Sequence, residues 1–454
     1  MTISAPEADL LVCGSLVLPD RVLPQGWIAV KAGKITAIGS GDRPAAAAVH
    51  DAGQAYVMPG FIDGQTHATS YAGLPGIEST TRSAVAGGIT TLVDMPYDNP
   101  DPLNTTERHW AKVDAIERLS YADMALYATV APGQGTGEID ALVKAGACAF
   151  KISSFESHPV RFPRIPANDM LAILEATGAL KIPLGLHNED QEIVRAAIAA
   201  MRGSGYTDAI WHEPSRPVAA ELAATAQFLA LGLATGAHVH IVHISCAEVF
   251  HLVRKFREAG AHATGETCTH YLYFDAARHT ARLGARMKVS PPIRPGALPG
   301  MWQALADGDI AFISSDHSSW PLANKLVESI FDASAGIPGL ETCAPSLYTG
   351  LCKNTAEPER ELVRYLCENP AKFFGLWPRK GTLSIGSDAD FAIIEPGDTV
   401  YHEADAHDDL NWSPYDGEHF AGRIATTFLR GLKVWDCGTV LGKPGMGRFV
   451  ARAH

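Results

Sequence analysis

Eight short apolar runs constrain the fold of this chain more than any other feature. They cover residues 60–63, 91–95, 125–130, 147–152, 182–186, 238–243, 262–266 and 310–314. Helix-permissive segments lie between most of them, at 105–120, 168–177, 189–201, 216–235 and 248–259. Strands alternating with helices predict parallel βα units. From Gly60 to the strand ending near Asp316 is about 250 residues, the usual size of a (β/α)8 barrel.

The two ends of the chain have a different texture. From Leu10 to Val57, and again from Lys380 onward, valine and isoleucine alternate with polar or small residues, and Gly and Pro mark close turns. The expected architecture is α/β, a TIM-type (β/α)8 barrel with a small composite β-sandwich domain built from both ends. The divisions are 1–57 (sandwich), 58–379 (barrel) and 380–454 (sandwich).

Composition removes several classes. The net charge is −13, from 37 Lys and Arg against 50 Asp and Glu. That balance argues against a nucleic-acid binder, which needs a basic face. Apolar residues at 46% supply ample core and argue against disorder. Residues 1–11 lack a basic stretch followed by an apolar run, so no secretory leader is expected. The most apolar helical stretch, 218–237, carries Glu221 and Gln227 and reads as a buried helix rather than a membrane span. The eight Cys are scattered without a CxxC pair, which reads as free thiols in a reducing cytosol. Cys268, at the mouth of a strand, is read in the same way.

In a barrel of this kind, catalytic side chains sit at the C-terminal ends of the strands. The first run is followed by Gln65-Thr66-His67, the fourth contains Lys151, and the fifth and sixth lead to His187 and His243. The seventh gives Glu266 and then His270, and the eighth leads to Asp316-His317. Ligand-type residues thus terminate six strands that share one mouth. Three His and one Asp suit Zn²⁺ or a similar divalent ion. Lys151 is out of place in such company, because a buried ammonium beside a cation is repelled and desolvated. Either it points to solvent, or it is not an ammonium.

The ordered motifs PGFIDGQTH, AGGITTLVDMP, AFKIS, LGLHNED, SRP with a Glu four residues after the Pro, IVHISC, ETCTHYL, KVSPPIR and SSDHSSW resemble the cyclic amidohydrolases. This group comprises the dihydroorotases, allantoinases and hydantoinases or dihydropyrimidinases of the amidohydrolase superfamily. The resemblance implies a two-metal site for divalent ions at the mouth of the barrel, zinc by expectation, with two ions, one ion or none left open by the departure at Gln65. Lys151 would be carbamylated by CO₂ and so become a bridging anion. His187 and His243 would hold one ion, and His67 and Asp316 the other. A metal-activated hydroxide would attack the cyclic amide carbonyl, with Asp316 as general base and then acid. His270, His317, Ser290 and Gly339 would orient substrate or ligands. Relatives of this kind are dimers or tetramers, so a homo-oligomer acting on a small cyclic amide is expected.

Three departures stand out. The family's His-x-His is Gln65-Thr66-His67 here, so Gln65 is at best a weak ligand. Dihydroorotases grip a substrate carboxylate with Arg and Asn where this chain has Thr69 and Tyr97, which disfavours that activity, although Arg82 and Arg161 offer other cations. Hydantoinases place a Tyr five residues after the Lys, where this chain has Glu156. The loop 156–166 is more like that of allantoinases, and His158 and Arg161 in it either face the substrate or form a salt-bridged loop. His238 and His240 read as packing residues. His109, His212, His251, His279, His402, His407, His419 and His454 read as surface or structural. The leading expectation is therefore an allantoinase-like or hydantoinase-like metal-dependent hydrolase, with dihydropyrimidinase or D-hydantoinase activity as the alternative. A catalytically inactive scaffold, motivated by Gln65, is the reading of another class.

Overall fold

The computed structural model describes residues 7–453. The readings placed on residues 1–6 and on His454 lie outside them.

Seven parallel strands follow one another in chain order: Phe61–His67, Ile89–Asp94, Asp123–Ala128, Ala149–Ser153, Leu184–His187, Val239–Ile241 and Ala263–Gly265. Closure comes from two interrupted strands. The seventh resumes at Thr267–Cys268 and pairs with Ile313–Ser314. The eighth resumes at His317–Ser318 and pairs with Thr66–His67 of the first. The ring is complete, and each predicted run contributes a strand. Every residue of Ile89–Asp94, Asp123–Ala128 and Ala149–Ser153 is buried. Burial on both faces explains why these strands read as apolar runs and not as alternations.

Helices Thr106–Leu119, Ala167–Ala179, Gln191–Gly203, Val218–Thr235 and Ala247–Glu258 occupy the expected crossovers. Two begin on side-chain caps: Thr105 accepts from the Arg108 N–H and Asp190 from the Ile193 N–H. Helix Val218–Thr235 is apolar and long enough to cross a membrane. It buries Ala224, Phe228, Leu229 and Gly232. A Cβ on Gly232 would stand 2.4 Å from Val239 of the sixth strand, so only glycine permits this approach. The crossovers at Gly76–Ala86, Ile139–Lys144 and Leu298–Ala306 are also helical, which the sequence reading did not name.

Both chain ends join a second, eight-stranded sheet. Strands Ala8–Val17, Val22–Lys31, Lys34–Ser40 and Ala46–Pro59 come from one end, and Phe391–Val400, His419–Leu429, Leu432–Asp436 and Thr439–Val440 from the other. The halves meet where Phe391–Val400 runs antiparallel to Ala46–Pro59, with Phe391 opposite Pro59. Leu10, Val12 and Ile28 of one half pack with Phe391, Ile393 and Phe428 of the other in one core.

A buried ion cluster ties this sheet to the barrel at the end opposite the mouth. Lys380 Nζ lies 2.5 Å from Asp123, 2.6 Å from Asp390 and 3.0 Å from Asp388. Arg430 also pairs with Asp123 at 2.5 Å, and Lys34 with Asp388 at 2.7 Å. The three carboxylates are close enough to hold a metal ion. The cation among them is the Lys380 ammonium, so the cluster is an ion-pair latch. Asp123 opens the third strand, at the face of the barrel associated with stability. Replacing Lys380 by Ala strands buried carboxylates. The variant is expected to lose about 3–5 kcal/mol of stability in urea unfolding.

Candidate active site

The strand ends surround a cavity of 460 Å³ lined by His67, Lys151, His187, His243, Ser290 and Asp316, among others. Five of the expected ligand residues thus face one space. The sixth, Gln65, is fully buried and reaches the site through Asp316.

His187 and His243 form the best-defined half. His187 Nδ1 lies 3.0 Å from His243 Nε2. Two nitrogens each about 2.0–2.1 Å from a tetrahedral zinc ion would stand about 3.3 Å apart, so this spacing fits a shared ion. The other nitrogen of His187, Nε2, lies 2.9 Å from Glu189. Arg216 donates to both oxygens of Glu189, at 2.7 and 2.6 Å. Burial alone would raise the Glu189 carboxyl, but Arg216 and the His187 hydrogen bond outweigh it and hold it far below the usual carboxylate range. An ionised Glu189 can only accept, so His187 carries its proton on Nε2 and turns the Nδ1 lone pair towards His243. Burial lowers the pKa of both His187 and His243, favouring the neutral, ligating form.

Lys151 is fully buried, and its Nζ has no hydrogen-bond partner among the described residues. The rings of Tyr97 and Phe162 lie 5.6 and 5.9 Å away. A solvent-facing ammonium is excluded by this burial. Burial lowers its pKa, against the opposing pull of Asp316 and Glu266. An unpartnered amine among carboxylates and imidazoles is what the chemistry of a carbamate requires, because CO₂ adds to the neutral amine.

Asp316 forms the other half with His67, whose Nε2 is 3.3 Å from Asp316 Oδ1. Gln65 Nε2 donates to the same oxygen at 2.7 Å. Burial would raise the Asp316 carboxyl, but the hydrogen bond and charge of His67, with His243 and Lys151, hold it well below its ordinary value. Asp63 fastens this half: it accepts from the Ser315 N–H at 2.7 Å, from the Ser315 hydroxyl at 2.6 Å and from Thr66. His243 and Asp316 both have left-handed backbones, with φ of 42° and 49°. Such a conformation costs about 1–3 kcal/mol outside glycine and is concentrated at functional sites.

The remaining expectations divide. Ser290 lines the cavity. His317 and Gly339 bind each other, the Gly339 N–H donating to His317 Nδ1 at 3.1 Å, and His317 Nε2 meets Ser319 at 2.9 Å. His270 is buried, its ring 4.2 Å from that of Tyr271. His158 and Arg161 line the cavity and form no salt bridge themselves among the described residues, while their loop is pinned by ion pairs from Arg195 to Glu156 at 2.9 Å and from Arg164 to Glu192 at 2.5 Å. Arg161 donates to the Ser70 carbonyl, and His158 Nδ1 accepts from the backbone of Val160 and Arg161. Arg82 pairs with Asp409 instead of facing the cavity. His212, read as surface or structural, is structural: it is buried and bonds the Val289 carbonyl at 2.7 Å. His240 and His238 pack and share Thr264.

Sequence reasoning missed the pairing of motif with motif. Glu189 of LGLHNED takes Arg216 of SRP, and Glu221 takes Arg294 of KVSPPIR at 2.5 Å. It also missed the opposite wall. There Lys288 donates to the Ile330 and Ala333 carbonyls, each at 2.5 Å, and Lys325 to those of Lys288, Ser334 and Gly336. The aromatic wall, where the Tyr97 and Phe162 rings stack 3.7 Å apart, lies in loops whose approach no spacing announces.

Residues 56–434 match the family model described as the amidohydrolase family. An allantoinase of Rubrobacter xylanophilus is 34% identical, over 97% of this chain and 97% of that protein. An L-hydantoinase of Paenarthrobacter aurescens is 31% identical, over 98% of each. Among solved structures, an L-hydantoinase (dihydropyrimidinase) from Arthrobacter aurescens superposes with a TM-score of 0.92 at 32% identity, covering 98% of this chain and 100% of that one. A barrel with this ring of donors and these likenesses belongs to the amidohydrolase family. Its full-length relatives mark it, within that family, as a cyclic-amide hydrolase.

The Glu189–Arg216 pair gives a test of the scaffold. Replacing Arg216 by Ala takes the cation from a buried carboxylate, leaving it only the His187 hydrogen bond, and is expected to cost about 3–5 kcal/mol in denaturant unfolding at neutral pH. The folded carboxyl of Glu189 is depressed, so the unfolded chain takes up the proton first. The pair therefore stabilises above the ordinary Glu pKa of about 4.3, and its contribution fades as pH falls below that value. The gap between wild type and variant is expected to narrow over the same range.

Proposed function

We propose that the protein is a metal-dependent hydrolase that opens a five-membered cyclic ureide, the ring shared by allantoin and the hydantoins. The observation that carries this reading is the convergence of His67, Lys151, His187, His243 and Asp316 on one cavity. Zinc suits the imidazole-rich donor set. His187 and His243 would hold it together with a carbamylated Lys151, with His67 and Asp316 opposite. A bound divalent ion polarises a carbonyl and acidifies water.

The chain's own residues do the rest. Asp316, ionised at neutral pH, takes the proton of the attacking water and delivers it to the ring nitrogen as the carbon–nitrogen bond breaks. The carbonyl carbon gains the oxygen and leaves as a carboxylate, and the nitrogen leaves protonated as part of a ureido group. The stacked faces of Tyr97 and Phe162 shield one side of the cavity from water and suit a flat ring. A dihydroorotate-type substrate is disfavoured. Thr69 is buried and bonded to Asp98, and Tyr97 offers no cation to a substrate carboxylate. All eight cysteines are unpaired, which supports the cytosolic reading. We extend the proposal to a homo-oligomer in that compartment.

Protein loaded with zinc and bicarbonate is expected to open at least one of allantoin and the 5-substituted hydantoins, followed by product chromatography. Failure on the whole panel after loading would refute the reading. Asp316→Asn is expected to lower kcat by about 10²–10⁴-fold. With ¹³C-bicarbonate, the wild type is expected to show a carbamate carbon resonance that Lys151→Ala lacks.

A further inference from the structure

We propose that Gln65 converts the site to a one-metal centre, with a single divalent ion on the Lys151, His187 and His243 side and none held between His67 and Asp316. The inference rests on the metal-dependent reading above.

The argument concerns which atoms face the second position. His67 Nε2 and Gln65 Nε2 both approach Asp316 Oδ1, at 3.3 and 2.7 Å. The imidazole can give up the Nε2 proton it turns to Asp316 and then offers a lone pair. The carboxamide nitrogen has none: it is a donor and presents hydrogens, which a cation repels. Its orientation follows from its partner. Turning the carboxamide over would set Gln65 Oε1 against a carboxylate oxygen at hydrogen-bond distance, exchanging a charge-assisted bond for a repulsion. Gln65 is fully buried, so water does not soften that choice. Its Oε1 sits at the other end of the carboxamide without a donor, and Oε1 as a neutral oxygen is a poorer zinc ligand than imidazole. One lone pair of the Asp316 oxygen is already engaged by this bond, so His67 and what is left of Asp316 are the donors that side has of its own, beside an oxygen shared from a carbamylated Lys151.

The other side is prepared for an ion. Glu189 fixes the tautomer of His187 so that Nδ1 faces inward, 3.0 Å from His243 Nε2. Lys151 Nζ has no partner to give up. A closed set of three or four firm donors is what zinc requires of a protein site, and this half supplies it without Gln65.

The test counts metal instead of turnover. Wild type is loaded with Zn²⁺ and bicarbonate, desalted and analysed by plasma mass spectrometry, with a parallel Co²⁺ titration followed by visible absorption. About one equivalent per chain is expected for wild type, and a rise towards two for Gln65→His. His187→Ala is expected to lose the ion, and His67→Ala to keep it. Two equivalents in wild type would overturn the proposal and leave the hydrolase reading standing, whereas none at all would sink both. Retention in His187→Ala with loss in His67→Ala would place the ion on the wrong side and overturn it too. A folded Gln65→His with no second ion would show that Gln65 is not the cause. Should that variant not fold, the wild-type count and the two Ala variants still decide.

Discussion

Every strand of the barrel runs in the same direction around a closed ring, and the rest of the molecule depends on that constraint. A parallel strand reaches its neighbour only after a crossover that carries the chain back to the starting end. All eight strands therefore deliver their C-terminal residues to one mouth. Residues as far apart in sequence as Gln65 and Asp316 become hydrogen-bonded there. Closure is made by the two interrupted strands, and Asp316 stands in one of the interruptions, between Ile313–Ser314 and His317–Ser318. The break that seals the ring also turns the proposed general base into the cavity.

Burying so much charge at both ends of the barrel imposes a rule that the structure follows closely. Glu189 has Arg216, Glu221 has Arg294, Lys112 has Asp94 and Asp98, and Lys380 has three carboxylates. These pairs are compensations for burial more than sources of stability, because the cost of desolvation rivals the attraction. Lys151 and Glu266 are the exceptions near the mouth: both are fully buried, and neither the amine nor the carboxyl has a hydrogen-bond partner among the described residues. Unpartnered groups in a fold that matches most of its buried charges mark a place where something else binds.

Much of this was legible from the sequence. The barrel was, because a strand buried on both faces has to be written as an apolar run. So was the convergence of His67, Lys151, His187, His243 and Asp316, because each lies within such a run or within four residues of its end. The composite sheet was legible from its alternation and turns, but the latch through Lys380 was not. Asp123 is distant in sequence from Asp388 and Asp390, and nothing in their neighbours distinguishes the three from surface acids. For His212, read as surface or structural, the sequence could not choose between the two: its partner, the Val289 carbonyl, is a backbone group that no motif encodes. The role of Gln65 was visible only as an anomaly. That its amide nitrogen rather than its oxygen meets Asp316 needed the placement of both side chains.

The left-handed backbones of His243 and Asp316 carry a wider consequence. Strain of that kind persists only in a scaffold rigid enough to enforce it, so the chemical part of the site is set when the chain folds, before any substrate arrives. The segment 329–336 is held largely through its own backbone carbonyls, which accept from Lys288 and Lys325 outside it and are present whatever its side chains are. Sequence drift can therefore reshape the cavity walls without disturbing the reacting groups. A lineage built on this plan can change its diet one loop at a time while its chemistry stays fixed.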